Sequence, residues 1–587
     1  MRENNKHLIT SAEDVLNLWR KNNSAFVFND CEIRVGINLY DIIKENPVEG
    51  IEIIPDMDSF QQTERMSARI TPGLYVTNLK FSKFFGVFNC SISGPVSFNN
   101  VIFEQGLQFH HNKLQDRANF NSIIVNGEAS FTSTLARNTF TITKSTLPLM
   151  KIGFKYSYFE QDFSLFDCSF PKGIDLSSSH FKQKLQITRG VIIGLLNVSR
   201  CKTGQFLVTA GLAGKSRIEI GELDLSDTVF QDSVQIRDLT LAGLFKAERS
   251  VFDKELRIDH CIFLKKVRFP AIAAQDSIFI DQCNFSEDLS FSYATLNKTL
   301  AITATTFNAS LWFTGTKING DLWIGAKLIG DDPLIFNNII GFEGSIISAI
   351  SIVRLSNINS FKVPKGTLKM HNALIRGLLD IREVYLANVT FNGTVVTGNL
   401  QDNGTLANSV SDWHSARLLK NEAKKINNTI SALSYYRREM ELHAKNLRFK
   451  QTGDWLLLKL NSWSNDYGTS WIRGLFFTIF SGFIFFYLFI LSSNGYNFVK
   501  PDCPALIQYI WLPSGLDGLI SLNHTINGGL PGAFFFVFGK VLIAYGIYQT
   551  ITAFRKYLLY FRILIKLPSF FLKLMVFPFY PLYLRKS

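Results

Sequence analysis

An 11-residue period in the apolar residues constrains this chain more than any other feature. Ile70, Phe81, Ile92, Phe103, Leu114, Val125, Ala136 and Leu147 stand eleven apart without a gap. After a slip of one residue come Phe159, Phe170, Phe181 and Ile192. After an irregular stretch come Phe230, Leu241, Phe252, Phe263, Ala274, Phe285, Leu296, Phe307, Ile318 and Ile329. Each anchor has apolar companions four and six residues on, as Phe103 has Leu107 and Phe109. Residues two apart share one face of a strand, so each unit reads as two very short strands joined by tight corners. A helix of 3.6 residues per turn cannot keep this pattern through Gly, Asn and Asp corners. The period therefore predicts a β-solenoid, each coil hydrogen-bonded to the next and the inward pairs stacked in ladders.

Two residues before the anchors sit small or compact side chains, such as Ala294, Thr305 and Thr316. Cys31, Cys90, Cys168, Cys201, Cys261 and Cys283 take this position, and only Cys503 lies outside it. These read as inward-facing core residues. Seven cysteines is an odd count, and the polar start MRENNKHLIT predicts no secretory leader. Both argue for free thiols in a reducing compartment.

The pattern, with CIFLKKVRF and CNFSEDLSF as local examples, resembles the pentapeptide-repeat family in a looser, Phe-rich form. The resemblance covers roughly residues 22–400. It implies a right-handed, four-sided β-helix with two units per coil. About 17 coils at ~4.8 Å would make a rod on the order of 80 Å long. Ser11 with Asp14 three later reads like a capping box at the start of a helix that closes one end, within residues 1–21. The β-helix is expected over 22–405. Residues 44–69 interrupt it as a loop or decorated coil, and 204–229 are a second irregularity.

From Asp412 the period becomes helical. Leu419, Ile426, Leu433, Met440 and Leu447 are seven apart among Lys, Asn, Glu and Arg. This predicts amphipathic linker helices over 412–473, against the alternative of a self-associating helix. Charge changes here too. Residues 413–587 hold 20 of the 61 Lys+Arg but 7 of the 48 Asp+Glu, so the whole net charge of +13 sits in this segment. A positive excess confined to the segment with the apolar runs points to a membrane flank rather than to nucleic acid.

Gly474–Val499 carries no charge around LFFTIFSGFIFFYLFIL, and a second apolar stretch runs from Pro531 to Phe554. Each is long enough to cross a ~30 Å hydrocarbon core. The expected module is a two-span hairpin over 474–556 with a loop at 492–530. Arg473 precedes the first span and Arg555 and Lys556 follow the second, so both termini and the solenoid are expected in the cytoplasm. The basic, aromatic tail 557–587 has no charge-free run of spanning length and is expected in the membrane interface.

The order SARLLKNEAKKINN, ALSYYRREM, SNDYGTSWIRG, a span, and a second span ending YGIYQTITAFRKY resembles the membrane-associated pentapeptide-repeat proteins of bacteria. Some of these carry an ion-channel-like two-helix module. The resemblance implies an inner-membrane protein in which Asn465, Tyr467, Gly468 and Ser470 form the entry to the first span. It places Tyr548, Gln549, Arg555 and Lys556 at the cytoplasmic end of the second. No TVGYG-like filter occurs in 492–530, so potassium selectivity does not carry over.

The sequence has no HExxH, GxSxG, P-loop or CxxC motif, and neither an enzyme nor a cofactor or metal site is expected. His110, His111, His180, His260 and His371 read as corner residues. Lys540 is an ionisable group in an apolar run, hence a candidate site. At ~1.5 Å per residue it lies about 22 Å from Arg555, close enough to one surface to snorkel instead. Tyr545, Tyr548, Gln549 and Thr552 fall within about one third of the helix circumference. That stripe fits a pore lining or helix-to-helix hydrogen bonding. Two functions follow. One is an oligomeric pore with the solenoid as sensor or assembly platform, suited to a stress or defence effector. The other is a membrane-anchored scaffold whose solenoid binds a protein without conducting ions. DNA mimicry would need an acidic face, which the charge balance of residues 1–412 does not supply.

Overall fold

The computed structural model describes residues 7–564 except for 12, 16, 18–25, 30, 46–50, 58–63, 72, 148–151, 212–216, 326–334, 337, 354–365, 383, 403–405, 448–451, 493–502 and 516–529. Parts of the expected cap helix, most of the 492–530 loop, anchor Ile329 and residues 565–587 of the tail therefore lie outside the described residues. The chain divides into two units, Met1–Ser409 and Val410–Ser587.

The first unit is a parallel β-solenoid of about 14 turns. One coil consists of the strands Val229–Phe230, Val234–Arg237, Leu239–Leu241 and Phe245–Lys246. The next begins at Val251–Phe252, with Phe230 opposite Phe252 and Phe252 opposite Ala274. The repeat along a column is thus 22 residues, two 11-residue units per coil. The anchors point inward: Phe81, Phe103, Phe181, Phe252, Phe263 and Phe307 are buried. Their rings stack in columns, as Phe263 on Phe285 at 4.8 Å and Phe285 on Phe307 at 5.0 Å. A second column runs Phe269, Phe291, Phe313, Phe342 at 4.9–5.5 Å. Near-parallel rings at these spacings pack favourably beyond the area they bury.

Two features of the coil escaped the periodicity. First, one corner per 11-residue unit holds a residue in the left-handed region, three before the anchor. Asn78, Asn89, Asn100, His111, Ser122, Ser133 and Lys144 all have φ of 46–55°. Later coils put Arg249, His260, Ala271, Tyr293 and Ala304 there. Such φ values are uncommon outside glycine, and stacking against neighbouring coils holds them in place. Second, the small residue two before the anchor is a hydrogen-bonding rung. Ser250 Oγ donates to Leu225 O at 2.7 Å, and Thr228 Oγ1 to Val198 O at 2.6 Å. Ser157 Oγ donates to Phe131 O at 2.8 Å and accepts from Thr134 N at 3.1 Å. The cysteines stand in this column, Cys201 Sγ meeting Leu176 O at 3.1 Å. Corner backbone groups that would otherwise be buried without a partner are satisfied this way.

The coil count is lower than the roughly 17 expected, because several coils are longer than 22 residues. Lys202 pairs with Val229, Thr306 with Ile335 and Ile339 with Thr367. The interruption at 44–69 begins at the end of a short helix, Leu39–Glu45, and continues as an antiparallel hairpin of Ile51–Met57 against Glu64–Ile70. Near the N-terminus Ser11 Oγ accepts from Asp14 N and Asp14 Oδ2 accepts from Ser11 N, both at 3.1 Å. Described residues 13–15 and 17 are helical.

The second unit is helical. Asp412 caps Trp413–Lys425, accepting from Ser415 N at 2.8 Å. The seven-residue row does not continue as one helix. Asn427 takes φ 57° and Asn428 caps a new helix, Thr429–Asn446, accepting from Ser431 N at 3.1 Å. Adjacent asparagines tolerate the left-handed turn and supply the cap, which ends one helix and starts the next. The second helix buries Ala432, Tyr435, Glu439 and Leu442. Thr452–Asn465, Trp471–Leu491, Cys503–Ile510 and Leu530–Leu564 complete the unit.

Candidate functional site in the membrane hairpin

Trp471–Leu491 and Leu530–Lys556 are each long and apolar enough to cross a membrane. They pack through two reciprocal glycine–threonine pairs. A Cβ on Gly474 would meet Thr550 Oγ1 at 2.6 Å, and Gly546 lies as closely against Thr478. Both threonines turn their hydroxyls back onto the carbonyl four residues earlier, Thr478 onto Gly474 O and Thr550 onto Gly546 O, each at 2.8 Å. Small residues four apart let two spans approach closely where no hydrophobic effect drives them together. The sequence carries this signal as GxxxT in both spans, Gly474–Thr478 and Gly546–Thr550.

The short helix Cys503–Ile510 packs between the spans. Tyr509 is fully buried, donates to Phe535 O at 3.0 Å, and lies against Phe486, Phe489 and Phe536. Ile510 packs on Gly482, near the middle of the 21-residue first span. The chain leaves the helix at that level, and Trp511 and Gly515 are exposed.

Lys540 serves this exit. Its ammonium donates to Trp511 O at 2.6 Å and to Ser514 Oγ at 2.8 Å. It also lies 5.6 Å from the Tyr509 ring centroid and 5.4 Å from that of Phe536. A cation at the carbonyl end of a helix is favourably placed. Lys540 thus engages protein carbonyl and hydroxyl groups where the sequence offered a headgroup or a lumen.

The polar stripe of the second span divides. Tyr545 donates to Asn461 Oδ1 at 2.9 Å, and Gln549 Nε2 donates to the same oxygen at 2.8 Å. Asn465 Nδ2 donates to Gln549 Oε1 and, at 3.3 Å, to Gln549 O. Gln549 is 8% exposed. Tyr548 is 63% exposed, and Thr552 turns its hydroxyl onto Tyr548 O at 2.8 Å. Asn461 is the partner that the sequence reading missed.

The entry segment folds as a tight elbow. Asp466, Tyr467 and Gly468 follow one another at φ 54°, 57° and 80°. Asn465 Oδ1 holds the turn by accepting from Gly468 N at 2.7 Å. Ser470 caps the first span, accepting from Arg473 N at 3.3 Å. Buried Asp466 takes Arg437 at 3.1 Å and Arg473 at 3.4 Å. Lys556 lies close to Gly468 and over the Tyr436 ring at 4.9 Å, while Arg555 is exposed. The elbow, the end of the second span and the helix Thr429–Asn446 are therefore joined in one polar network.

Of the histidines, His111 and His260 occupy left-handed corners, and His180 sets its ring edge against Tyr158 at 4.7 Å. Among the described residues no cluster of three His, Cys, Asp or Glu side chains is arranged to hold a metal ion. No family model, no curated protein and no solved structure matches the chain.

Proposed function

We propose that this chain is a bacterial inner-membrane protein of the pentapeptide-repeat class, and that several copies assemble into a membrane pore. Trp511–Gly515 carries the proposal. It is exposed, non-helical backbone that begins level with the middle of the first span. Irregular backbone at that depth is tolerated only when protein covers it or when it lines a water-filled cavity. Two spans cannot enclose a lumen, so copies related by a rotation axis would bring these segments, each with its Lys540, around a common conduit. The basic flanks Arg473, Arg555 and Lys556 support a topology with both termini and the solenoid on the cytoplasmic side. There the solenoid would act as assembly platform or sensor. The reading assigns no catalytic step and no cofactor. Its partners are the lipid bilayer and further copies of the same chain.

The test is recording from purified protein in planar bilayers, with the oligomer counted in the same preparation. The pore reading expects step-like currents that depend on the oligomer and change on Lys540→Gln. A second reading, a membrane-anchored scaffold binding a protein through its solenoid, draws on the internal pairing of Tyr545 and Gln549. Those two polar groups have a packing role that needs no lumen. Silent, monomeric protein would favour it.

A further inference from the structure

We propose that the helix Thr452–Asn465 is an interfacial helix that lies on the bilayer and binds lipid through its exposed face. The proposal rests on the two apolar helices crossing a membrane and not on conduction. The helix is amphipathic in the reverse of the usual sense. At ~100° per residue, Trp455, Lys459, Trp463, Leu456 and Leu460 fall within about 140° of its circumference. Asn461 and Asn465 fall on the opposite side, with exposed Leu457 and half-buried Leu458 flanking them. A helix of a water-soluble fold turns its apolar stripe inward. Here the amides face the protein, bonded to Tyr545 and Gln549, and the apolar stripe faces out. Leu456 is 54% and Trp463 69% exposed, and Trp455 is exposed as well.

The depth of the helix names what covers that stripe. Its polar contacts reach Tyr545 and Gln549, beside Phe477 and Gly474 of the first span: Phe477 stacks edge-on with Tyr545 at 6.1 Å, and Gly474 meets Thr550. That is one to two turns inside Trp471, where the first span enters the membrane. The elbow itself is buried, and beyond it Trp471, Ile472 and Phe476 of the span are exposed again. A bilayer that covers the span therefore reaches the stripe. The residue types suit a headgroup boundary. Tryptophan rings prefer that level, leucines enter the acyl region, and Lys459, which lies 5.8 Å from the Trp455 ring centroid, can extend its ammonium to phosphate.

The experiment uses the full chain in liposomes of phosphatidylcholine and phosphatidylglycerol, with Cys31 and Cys503 replaced by serine. Spin labels are attached at Leu456→Cys and Trp463→Cys, at Asp454→Cys on the other side of the helix, and at Phe480→Cys as the span control. Collision with oxygen, which partitions into lipid, is compared with collision with a water-soluble nickel chelate. The expected result is oxygen preference at 456, 463 and 480 and nickel preference at 454. Nickel preference at 456 and 463 with oxygen preference at 480 overturns the interfacial helix alone. Labels at 456 and 463 that neither collider reaches overturn it too, since protein would then cover the face. Nickel preference at 480 overturns the membrane crossing itself, and the interfacial helix with it.

Discussion

The Tyr545 phenol donates to Asn461 Oδ1 at 2.9 Å across 84 residues of sequence, and Gln549 shares that oxygen at 2.8 Å. With Asn465 on Gln549, the second span carries three polar side-chain contacts to the helix that precedes the first. The connection is a latch: the elbow cannot move off the second span without leaving several polar groups short of partners. Helix order in this module is therefore held at two places, the Gly–Thr pairs within the hairpin and the amide cluster beside it.

Breaking the cluster from one side should be costlier than its net worth. Gln549→Leu leaves Asn461 and Asn465 short of a partner, and a loss of about 1–3 kcal/mol is expected. The pair Tyr545→Phe and Asn461→Ala should show a coupling of about 0.6 kcal/mol, the usual size for hydrogen bonds between membrane helices. Unfolding in mixed detergent micelles, run as a double-mutant cycle, measures both. Strict additivity would mean that the bond contributes nothing.

In the solenoid, the register predicts opposite outcomes at adjacent residues. Phe263 is buried in a ring column, whereas Leu264 is 44% exposed. Phe263→Ala should lower stability by about 3–5 kcal/mol. Leu264→Ala should stay within about 0.5 kcal/mol. Denaturant unfolding followed by far-ultraviolet dichroism distinguishes them, and equal losses would be incompatible with this register.

The anchors were legible because burial allows few residue types, so Phe, Leu and Ile recur at fixed spacing. The left-handed corners were not, since Asn78, Lys144, Arg249 and Tyr293 share a backbone conformation and no side-chain chemistry. The rung residues were read as small core groups, because spacing does not reveal that Ser157 bonds to Phe131 O from the neighbouring coil. Coil count failed where chain was diverted, as between Thr306 and Ile335. In the membrane unit, helical angle placed Tyr545 and Gln549 on one side of the span. It carried no information about Asn461, whose position depends on the elbow at Asp466–Gly468.

Corner strain should be measurable at Ala304, which has φ 46°. A left-handed alanine costs roughly 1–2 kcal/mol, and glycine avoids that cost while losing more entropy on folding. Ala304→Gly should therefore raise stability by about 1 kcal/mol or slightly less, and Ala304→Val should lower it. Thermal unfolding of the two variants beside the parent gives the sign. A destabilised glycine variant would contradict the corner geometry.

The rung cysteines should make the solenoid sensitive to alkali. Burial pushes the Cys201 thiol up from 9.0 to about 12, against smaller opposing backbone hydrogen bonds. Burial likewise raises Cys90 to about 12 and Cys168 to about 11. The native state then holds a proton that the unfolded state releases. The stability contributed is complete below pH 9 and is lost as pH rises from 9 towards 12. Cys201→Ser suits the column, where Ser179 donates to Phe154 O at 2.6 Å. The variant should lose less stability than the parent between pH 9 and 10.5, by up to about 1.4 kcal/mol per pH unit. Identical slopes would mean that Cys201 is not buried as a thiol.

Lys540 is the sharpest test of the pore. Its ammonium closes the carbonyl end of Cys503–Ile510 through Trp511 O and Ser514 Oγ. Replacing it removes a charge and one of the donors to Trp511 O, which keeps the Ser514 hydroxyl at 2.7 Å and the Ser514 N–H at 3.1 Å. If the exit segment lines a conduit, Lys540→Met should shift the reversal potential in a salt gradient towards cations, because a ring of positive charge near a narrow lumen favours anions. Lys540→Arg keeps the charge and should retain the parental preference while changing conductance. A variant at Val541, one residue on and exposed, gives the comparison for general damage to the span. Val541→Leu should leave reversal potential and oligomer unaltered. Parental selectivity in Lys540→Met, with the oligomer intact, would place this lysine outside the ion path and leave it the role of fixing the short helix between the spans.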